Sequence, residues 1–212
     1  MRRLDRAAVP APACLAGYSH PANCWDDVTT AHRADIRARL EQMQGRRCAY
    51  CEGPLDSLGQ HIEHFRRKGN GHYPHLAFDW NNLYWSCDQT DSCGHFKDHG
   101  AGTYEVNELV DPCIDAPDRF FRFRSDGTIS IRTGLSGLDQ RRAQETLRVF
   151  NLNPQWGRLR NIRKAAVSPY VYLVDGAHGL LIQELQEYFT DELSHAVASP
   201  FYTAIRHVLT EP

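Results

Sequence analysis

The rhythm of apolar positions changes several times along the chain. Residues 1–24 show no rhythm, and Pro10, Pro12, Gly17 and Pro21 predict an irregular arm. Over residues 27–44, Ile36, Leu40 and Met43 recur at helical spacing, with Thr29 or Thr30 placed as a cap and Gly45 as a stop. From 46 to 99 the helical period fades, and the chain becomes rich in Cys, His, Gly, Trp and Asn. Short strands are predicted at Ala49-Tyr50-Cys51 and across residues 60–65, joined by the turn-prone segment 53–59. Asn82-Leu83-Tyr84-Trp85 reads as an ordered approach to Cys87, and Gly94-His95-Phe96-Lys97 as the opening of a short helix.

Further on, residues 120–123 and 128–131 flank Ser125-Asp126-Gly127 as a hairpin. Helical spacing then returns over 138–150, over 156–173 with a kink before Pro169, and over 176–189. Ser199-Pro200 predicts the cap and first residue of a last helix through about Leu209. There is no internal repeat and no low-complexity tract. The pattern divides the chain into an arm and helix (1–45), a Cys/His-rich core (46–99), a loop and hairpin connector (100–137) and a helical region (138–212).

Composition changes this picture only modestly. With 212 residues, 42% hydrophobic and 24% charged, the chain reads as an ordinary globular protein. No stretch approaches the roughly 18 apolar residues of a membrane span, and Met1-Arg2-Arg3-Leu4 leads into no apolar signal segment. A cytoplasmic protein without a membrane partner is the expectation. The formal net charge of −2 argues against strong autonomous binding to nucleic acid. Basic residues are nonetheless clustered at Arg46-Arg47, at Arg66-Arg67-Lys68, and at Arg158, Arg160, Arg163 and Lys164; taken singly, each cluster reads as a solvated face.

The chemistry lies in 46–99. Cys48 and Cys51 form a C-x-x-C knuckle, and Cys87 and Cys93 form a second, wider pair. Two such pairs supply the four soft ligands that Zn²⁺ takes in a tetrahedron. A redox C-x-x-C would sit at a helix start after a strand, whereas this one sits among turns. Cys14, Cys24 and Cys113 stand apart and read as ordinary thiols.

Between and just beyond the pairs come His61-Ile62-Glu63-His64, Trp80-Asn81-Asn82-Leu83 and Gly94-His95-Phe96-Lys97. Neighbours on a strand face opposite ways, so Glu63 and His64 can serve different partners at one place. A carboxylate and an imidazole suit a divalent cation with open positions, and a separate neutral histidine can take a proton from water. Read singly, Glu-His is a surface pair, a lone His a packed one, and Asn-Asn turn chemistry.

Taken together, Cys48-Ala49-Tyr50-Cys51-Glu52, His61-Ile62-Glu63-His64-Phe65, Phe78-Asp79-Trp80-Asn81-Asn82-Leu83 and Ser86-Cys87…Cys93-Gly94-His95-Phe96-Lys97-Asp98 resemble zinc-knuckled HNH endonucleases, and more closely the PtuB-like HNH proteins of Septu and retron-linked anti-phage defence. Trp25 with the helix before Cys48, and Leu147…Asn151-Leu152-Asn153, extend the likeness over most of the chain. The resemblance implies an α+β fold: a ββα-metal HNH core with a zinc knuckle, flanked by an N-terminal helix and a mainly helical C-terminal part. It implies structural Zn²⁺ on Cys48, Cys51, Cys87 and Cys93, and a catalytic Mg²⁺ or Mn²⁺ on Glu63 and His95. His64 would be the general base, and Asn82 would hold the His64 side chain. Lys97 would touch phosphate or be solvated, and His61 would line the site.

Three departures from the family pattern stand out: Glu63 in place of Asp, the wide second cysteine pair, and Gly94 between Cys93 and His95, which leaves Asp98 and His99 as alternative ligands. The implied function is a metal-dependent endonuclease acting on nucleic acid, DNA ahead of RNA, within a complex controlled by a PtuA-like ATPase. The chain carries no G-x-x-x-x-G-K-[ST] loop, so nucleotide control would come from another chain. Tyr170, Tyr172, Leu180, Leu181 and Tyr188 would offer a docking surface or form a helical core. A non-catalytic zinc-stabilised binding module is the competing reading, and an oxidoreductase using Cys48 and Cys51 is a third.

Overall fold

A computed structural model describes residues 1–176 and 182–211. It shows helices combined with two small antiparallel sheets, an α+β protein. Helix α1, Thr30–Gln44, starts where the Thr29 hydroxyl accepts the His32 amide at 3.2 Å. It ends where Gly45 turns left-handed at φ 64° and its amide returns to the Glu41 carbonyl at 2.7 Å. Ile36, Leu40 and Met43 are buried on one side, as their spacing predicts.

The buried Gln44 side chain then ties this helix to the core. It donates to the carbonyls of Arg47 and Trp85 and accepts the Trp85 amide. Ala49-Tyr50-Cys51 is a turn and not the expected strand, because the Glu52 amide closes back on the Cys48 carbonyl at 3.0 Å. A one-turn helix, α2 at Leu55–Leu58, occupies part of the predicted linker.

Strand β1, His61–His64, pairs antiparallel with β2, Leu83–Ser86, with His61 opposite Ser86 and Glu63 opposite Tyr84. β2 is buried at every position, and helix α3, Cys93–His99, follows it. The second hairpin joins β3, Phe121–Phe123, to β4, Ile129–Ile131. At its turn Gly127 is left-handed at φ 82°, and a Cβ there would lie 2.4 Å from the Arg160 carbonyl, so only glycine fits.

Helix α4, Gly137–Val149, is capped by the Ser136 hydroxyl. Helix α5, Arg158–Gly176, runs unbroken through Pro169. Helix α6 spans Ile182–Ala196 and α7 spans Tyr202–Thr210. Leu180 and Leu181 lie outside the described residues. Among the described residues, no helix is long and apolar enough to cross a membrane.

Two further expectations change. The last helix is not opened by Ser199-Pro200: its cap is Phe201, buried and left-handed, with its amide drawn to the Glu52 carbonyl at 3.1 Å. The arm is irregular but not loose, since Met1, Leu4, Val9 and Leu15 are buried and the Leu4 amide donates to the Pro112 carbonyl. The core runs from α1 across β2 to Tyr50, which stacks on Phe150 at 4.1 Å, so both halves of the chain share it.

The first cysteine turn is also closed from the far end of the chain. Arg47 donates to the carbonyls of Val197 and Ser199, and the Glu52 carboxylate accepts the Thr203 amide at 3.0 Å.

Candidate metal centre and active site

Cys48, Cys51, Cys87 and Cys93 meet in the core, each 1% exposed or less, with their sulfurs within 4.8 Å of one another. The knuckle turn aims the Gly53 amide at the Cys51 sulfur at 3.3 Å. Cys93 enters from α3 in a left-handed conformation at φ 57°, its amide anchored on the Phe150 carbonyl. Sulfurs packed this closely cannot all ionise unaided. Burial opposes ionisation of Cys48, yet hydrogen bonds from the other three sulfurs outweigh it and bring that thiol well below its ordinary value. Burial and the same contacts push Cys93 well above it, and hydrogen bonding to Cys48 and Cys51 drives Cys87 upward. A cation among the four sulfurs would remove this conflict, and an all-cysteine donor set suits zinc.

A second cluster forms where β1 meets α3. The Glu63 carboxylate is 3% exposed; Oε2 accepts from His61 Nε2 at 3.1 Å and Oε1 pairs with Lys97 Nζ at 2.9 Å. Lys97 is fully buried and also reaches Asp98, so it is neither solvated nor free to touch phosphate in this conformation. Burial would raise the Glu63 carboxyl, but the Lys97 charge and the His61 hydrogen bond bring it down to about 2. Burial opposes protonation of Lys97 too, and the facing carboxylates raise it above its usual value. α3 must pass close here: a Cβ on Gly94 would lie 2.5 Å from Glu63 Oε2 and 2.9 Å from His61 Nε2.

His95 reaches Asp88, with Nε2 to Oδ1 at 2.6 Å, and His61 Nδ1 lies 3.5 Å from the same oxygen. Ring nitrogens of His61 and His95 and a carboxylate oxygen of Asp88 thus fall within 4.8 Å of one another on the half-open surface. Glu63 and His95 are linked through His61 and Asp88 rather than touching directly. Asp88 belongs to none of the sequence motifs. The signal for it was the extra length between Cys87 and Cys93, which leaves room for an acidic loop residue.

His64 leaves the opposite face of β1. It is buried beneath Trp25, whose ring meets it edge-on at 4.4 Å, and its Nε2 donates to the Ala77 carbonyl at 3.0 Å. Nδ1 is therefore the nitrogen with the lone pair. Burial first, and then the nearby Lys68 charge, lower this histidine to about 3, so it is neutral at physiological pH. A cleft of about 540 Å³ opens beside it, lined by Asn23, Trp25, Lys68, Asn70 and Ala77 among others. Asn82 makes no hydrogen bond to the His64 ring. It accepts the Arg66 amide at 2.6 Å and donates to the carbonyls of Arg66 and Leu76, clamping the loop that delivers Ala77.

The basic clusters are largely spoken for. Arg46 pairs with Glu41 and Asp56, Arg67 with Asp98, Arg158 with Asp91 and Arg160 with Asp126. Arg163 is wholly buried, bonded to the carbonyls of Gly127 and Leu152, and burial lowers it to about 10. Of that late cluster, Arg163 is internal scaffolding, while Arg158 and Arg160 form surface ion pairs. Lys68, lining the cleft beside His64, is placed differently.

No protein-family model matches the chain. Over 145 residues it is 28% identical to a protein named "Retron Vc95 putative HNH endonuclease" from Vibrio cholerae serotype O1 biovar El Tor, covering 66% of each chain. It is 26% identical over 144 residues to the Septu protein PtuB of Bacillus mycoides strain KBAB4, covering 56% of this chain and 46% of that one. To the Septu protein PtuB of Bacillus thuringiensis it is 31% identical over 91 residues, covering 41% and 32%. The matched segments therefore span between about a third and two thirds of the relatives' own lengths. These relatives bear out the resemblance that the cysteine, histidine and asparagine motifs carry, and the chain is similar to PtuB-like HNH proteins of anti-phage defence.

Proposed function

We propose that this protein is a metal-dependent HNH endonuclease that hydrolyses phosphodiester bonds of DNA, as the nuclease subunit of an anti-phage complex controlled by a PtuA-like ATPase. One observation carries the reading: β1, the β2 loop and α3 bring His61, Glu63, Asp88, His95 and Lys97 together beside a buried four-cysteine cluster, with His64 on the opposite face of β1. That arrangement is consistent with a ββα-metal core pinned by structural zinc on Cys48, Cys51, Cys87 and Cys93.

In this reading His64, kept neutral by burial, takes the proton of the attacking water through Nδ1. Asn82 fixes the loop carrying Ala77 and so sets the plane of that imidazole indirectly. The Glu63 and His95 end of the site would hold Mg²⁺ or Mn²⁺, whose charge would stabilise the scissile phosphate and the leaving oxygen. Lys68 offers a cation to the nucleic-acid strand in the adjoining cleft. With the other basic residues mostly paired and a net charge of −2, delivery of the substrate by a partner is the expected arrangement.

The test is cleavage of duplex DNA and of total RNA by wild type and His64→Ala, each with Mg²⁺ or Mn²⁺, alone and with the partner ATPase. Zinc content and folding are checked in both preparations. Loss of cleavage in a folded, zinc-loaded variant supports the nuclease. Inert wild type under all conditions, or equal cleavage by the variant, points to a zinc-stabilised binding module.

A further inference from the structure

We propose that the inner ligands of the second cation are His61, Asp88 and His95, and that Glu63 acts one shell out by holding His61 in place. This rests on the metal-dependent reading above and changes which side chains touch the ion. One Glu63 oxygen accepts from His61, the other has no hydrogen bond but lies 2.9 Å from the fully buried Lys97 ammonium, and the carboxylate is sealed from solvent. For Glu63 to bind a cation directly, a second positive charge would have to enter a sealed site already facing the Lys97 ammonium 2.9 Å away.

His61 shows where the free ligand atom lies. The Glu63 carboxylate can only accept, so His61 Nε2 donates, and in the neutral ring that a cation would bind Nδ1 is the acceptor nitrogen. Nδ1 is buried, has no hydrogen-bond partner, and faces Asp88 Oδ1 across 3.5 Å. With a second imidazole 4.6 Å away ring to ring, one ligand atom each of His61, Asp88 and His95 lies within 4.8 Å of the others, close enough to share one ion. A carboxylate gripping the far nitrogen of a metal-binding histidine is the usual way such a ligand is oriented. The side chains of His61, His95 and Asp88 are 25%, 32% and 52% exposed, which leaves coordination positions open to water and phosphate.

The donor set also fixes the class of ion. Two imidazoles and one carboxylate favour Mn²⁺ or another transition-metal dication over Mg²⁺, which prefers oxygen ligands. Gly94 completes the assignment, because any side chain there would push α3, and His95 with it, away from His61 and Glu63.

The test reads Mn²⁺ binding, by electron paramagnetic resonance and calorimetry, on the zinc-replete full chain. Asp88 is half-exposed and Asp88→Asn keeps its shape, so folding is not at issue. The expected result is tighter binding of Mn²⁺ than of Mg²⁺ by wild type, loss of Mn²⁺ binding in Asp88→Asn and His61→Ala, and weakening by about 10- to 100-fold in Glu63→Gln. Asp88→Asn binding Mn²⁺ as wild type does, or wild type binding none, overturns the assignment. Mn²⁺ binding through Asp88 in a protein that cuts no nucleic acid would sink the nuclease reading and leave this ligand set standing. Cleavage that survives Asp88→Asn would do the reverse.

Discussion

The sulfur cluster at Cys48, Cys51, Cys87 and Cys93 and the cluster at His61, Asp88 and His95 draw on the same short stretch of chain, yet one is sealed in the core and the other stands half open at its edge. In the first, every donor is a sulfur and no position faces water, which suits an ion that holds the fold together. In the second, nitrogen and oxygen donors leave one side uncovered, which suits an ion that must meet a substrate. Cys87 and Asp88 are neighbours in sequence, as are Cys93, Gly94 and His95. The loop that closes one cluster therefore carries side chains of the other, and the Glu63–Lys97 pair backs the second cluster through His61.

The comparison breaks most visibly at the closed cluster. Cys51→Ala should abolish cooperative folding of the core, because structural zinc is worth about 10–16 kcal/mol in small zinc-binding peptides while a domain's whole stability is about 5–15 kcal/mol. Thermal unfolding and zinc content measure it, and a folded, zinc-free variant would mean that the cysteines merely pack. Behind the second cluster, Lys97→Met leaves the Glu63 charge buried without its partner and should cost about 3–5 kcal/mol, read by urea unfolding. A near-neutral result would show that Glu63 finds another cation.

Gly94→Ala drives a methyl group into Glu63 and His61 and should cost about 1–3 kcal/mol by overpacking. Its weakening of Mn²⁺ binding should exceed that of any equally destabilised variant far from α3. The smallest effect on folding belongs to the open cluster. His95→Ala should shift stability by no more than about 0.5 kcal/mol while Mn²⁺ affinity collapses, the two being read by melting and calorimetry. A large loss of stability there would erase the contrast between the two sites.

Much of this layout was legible from residue spacing. The cysteine pairs, β1, α3, the second hairpin and α1 with its cap and stop all follow local rules of turn chemistry and period, whereas β2 announced itself only as an ordered segment and the strand expected at 49–51 is a turn. What escaped notice depends on distant partners. Lys97 looks like a solvated lysine until Glu63 and Asp98 are seen to enclose it, and Arg163 looks like part of a basic face until the carbonyls of Gly127 and Leu152 claim it. Asp88 carries no motif of its own. Met1, Leu4, Val9 and Leu15 are too irregularly spaced to announce that the arm belongs to the core. Phe201 caps α7 because Glu52 reaches it from far along the chain, which no local propensity encodes.

The grip of Arg47 and Glu52 on the start of α7 bears on how such chains can diverge. Arg47 bonds a carbonyl 150 residues later, and Glu52 holds the Phe201 and Thr203 amides. The cysteine turn and the last helix are thus a single unit of inheritance despite their separation. A crossover that altered the backbone path into α7 would leave buried Arg47 without the Val197 and Ser199 carbonyls and Glu52 with only the Met1 amino group. Because these bonds reach backbone atoms of residues 197–203, a tail that keeps the same backbone path keeps them whatever its side chains, and the link breaks at positions 47 and 52 instead.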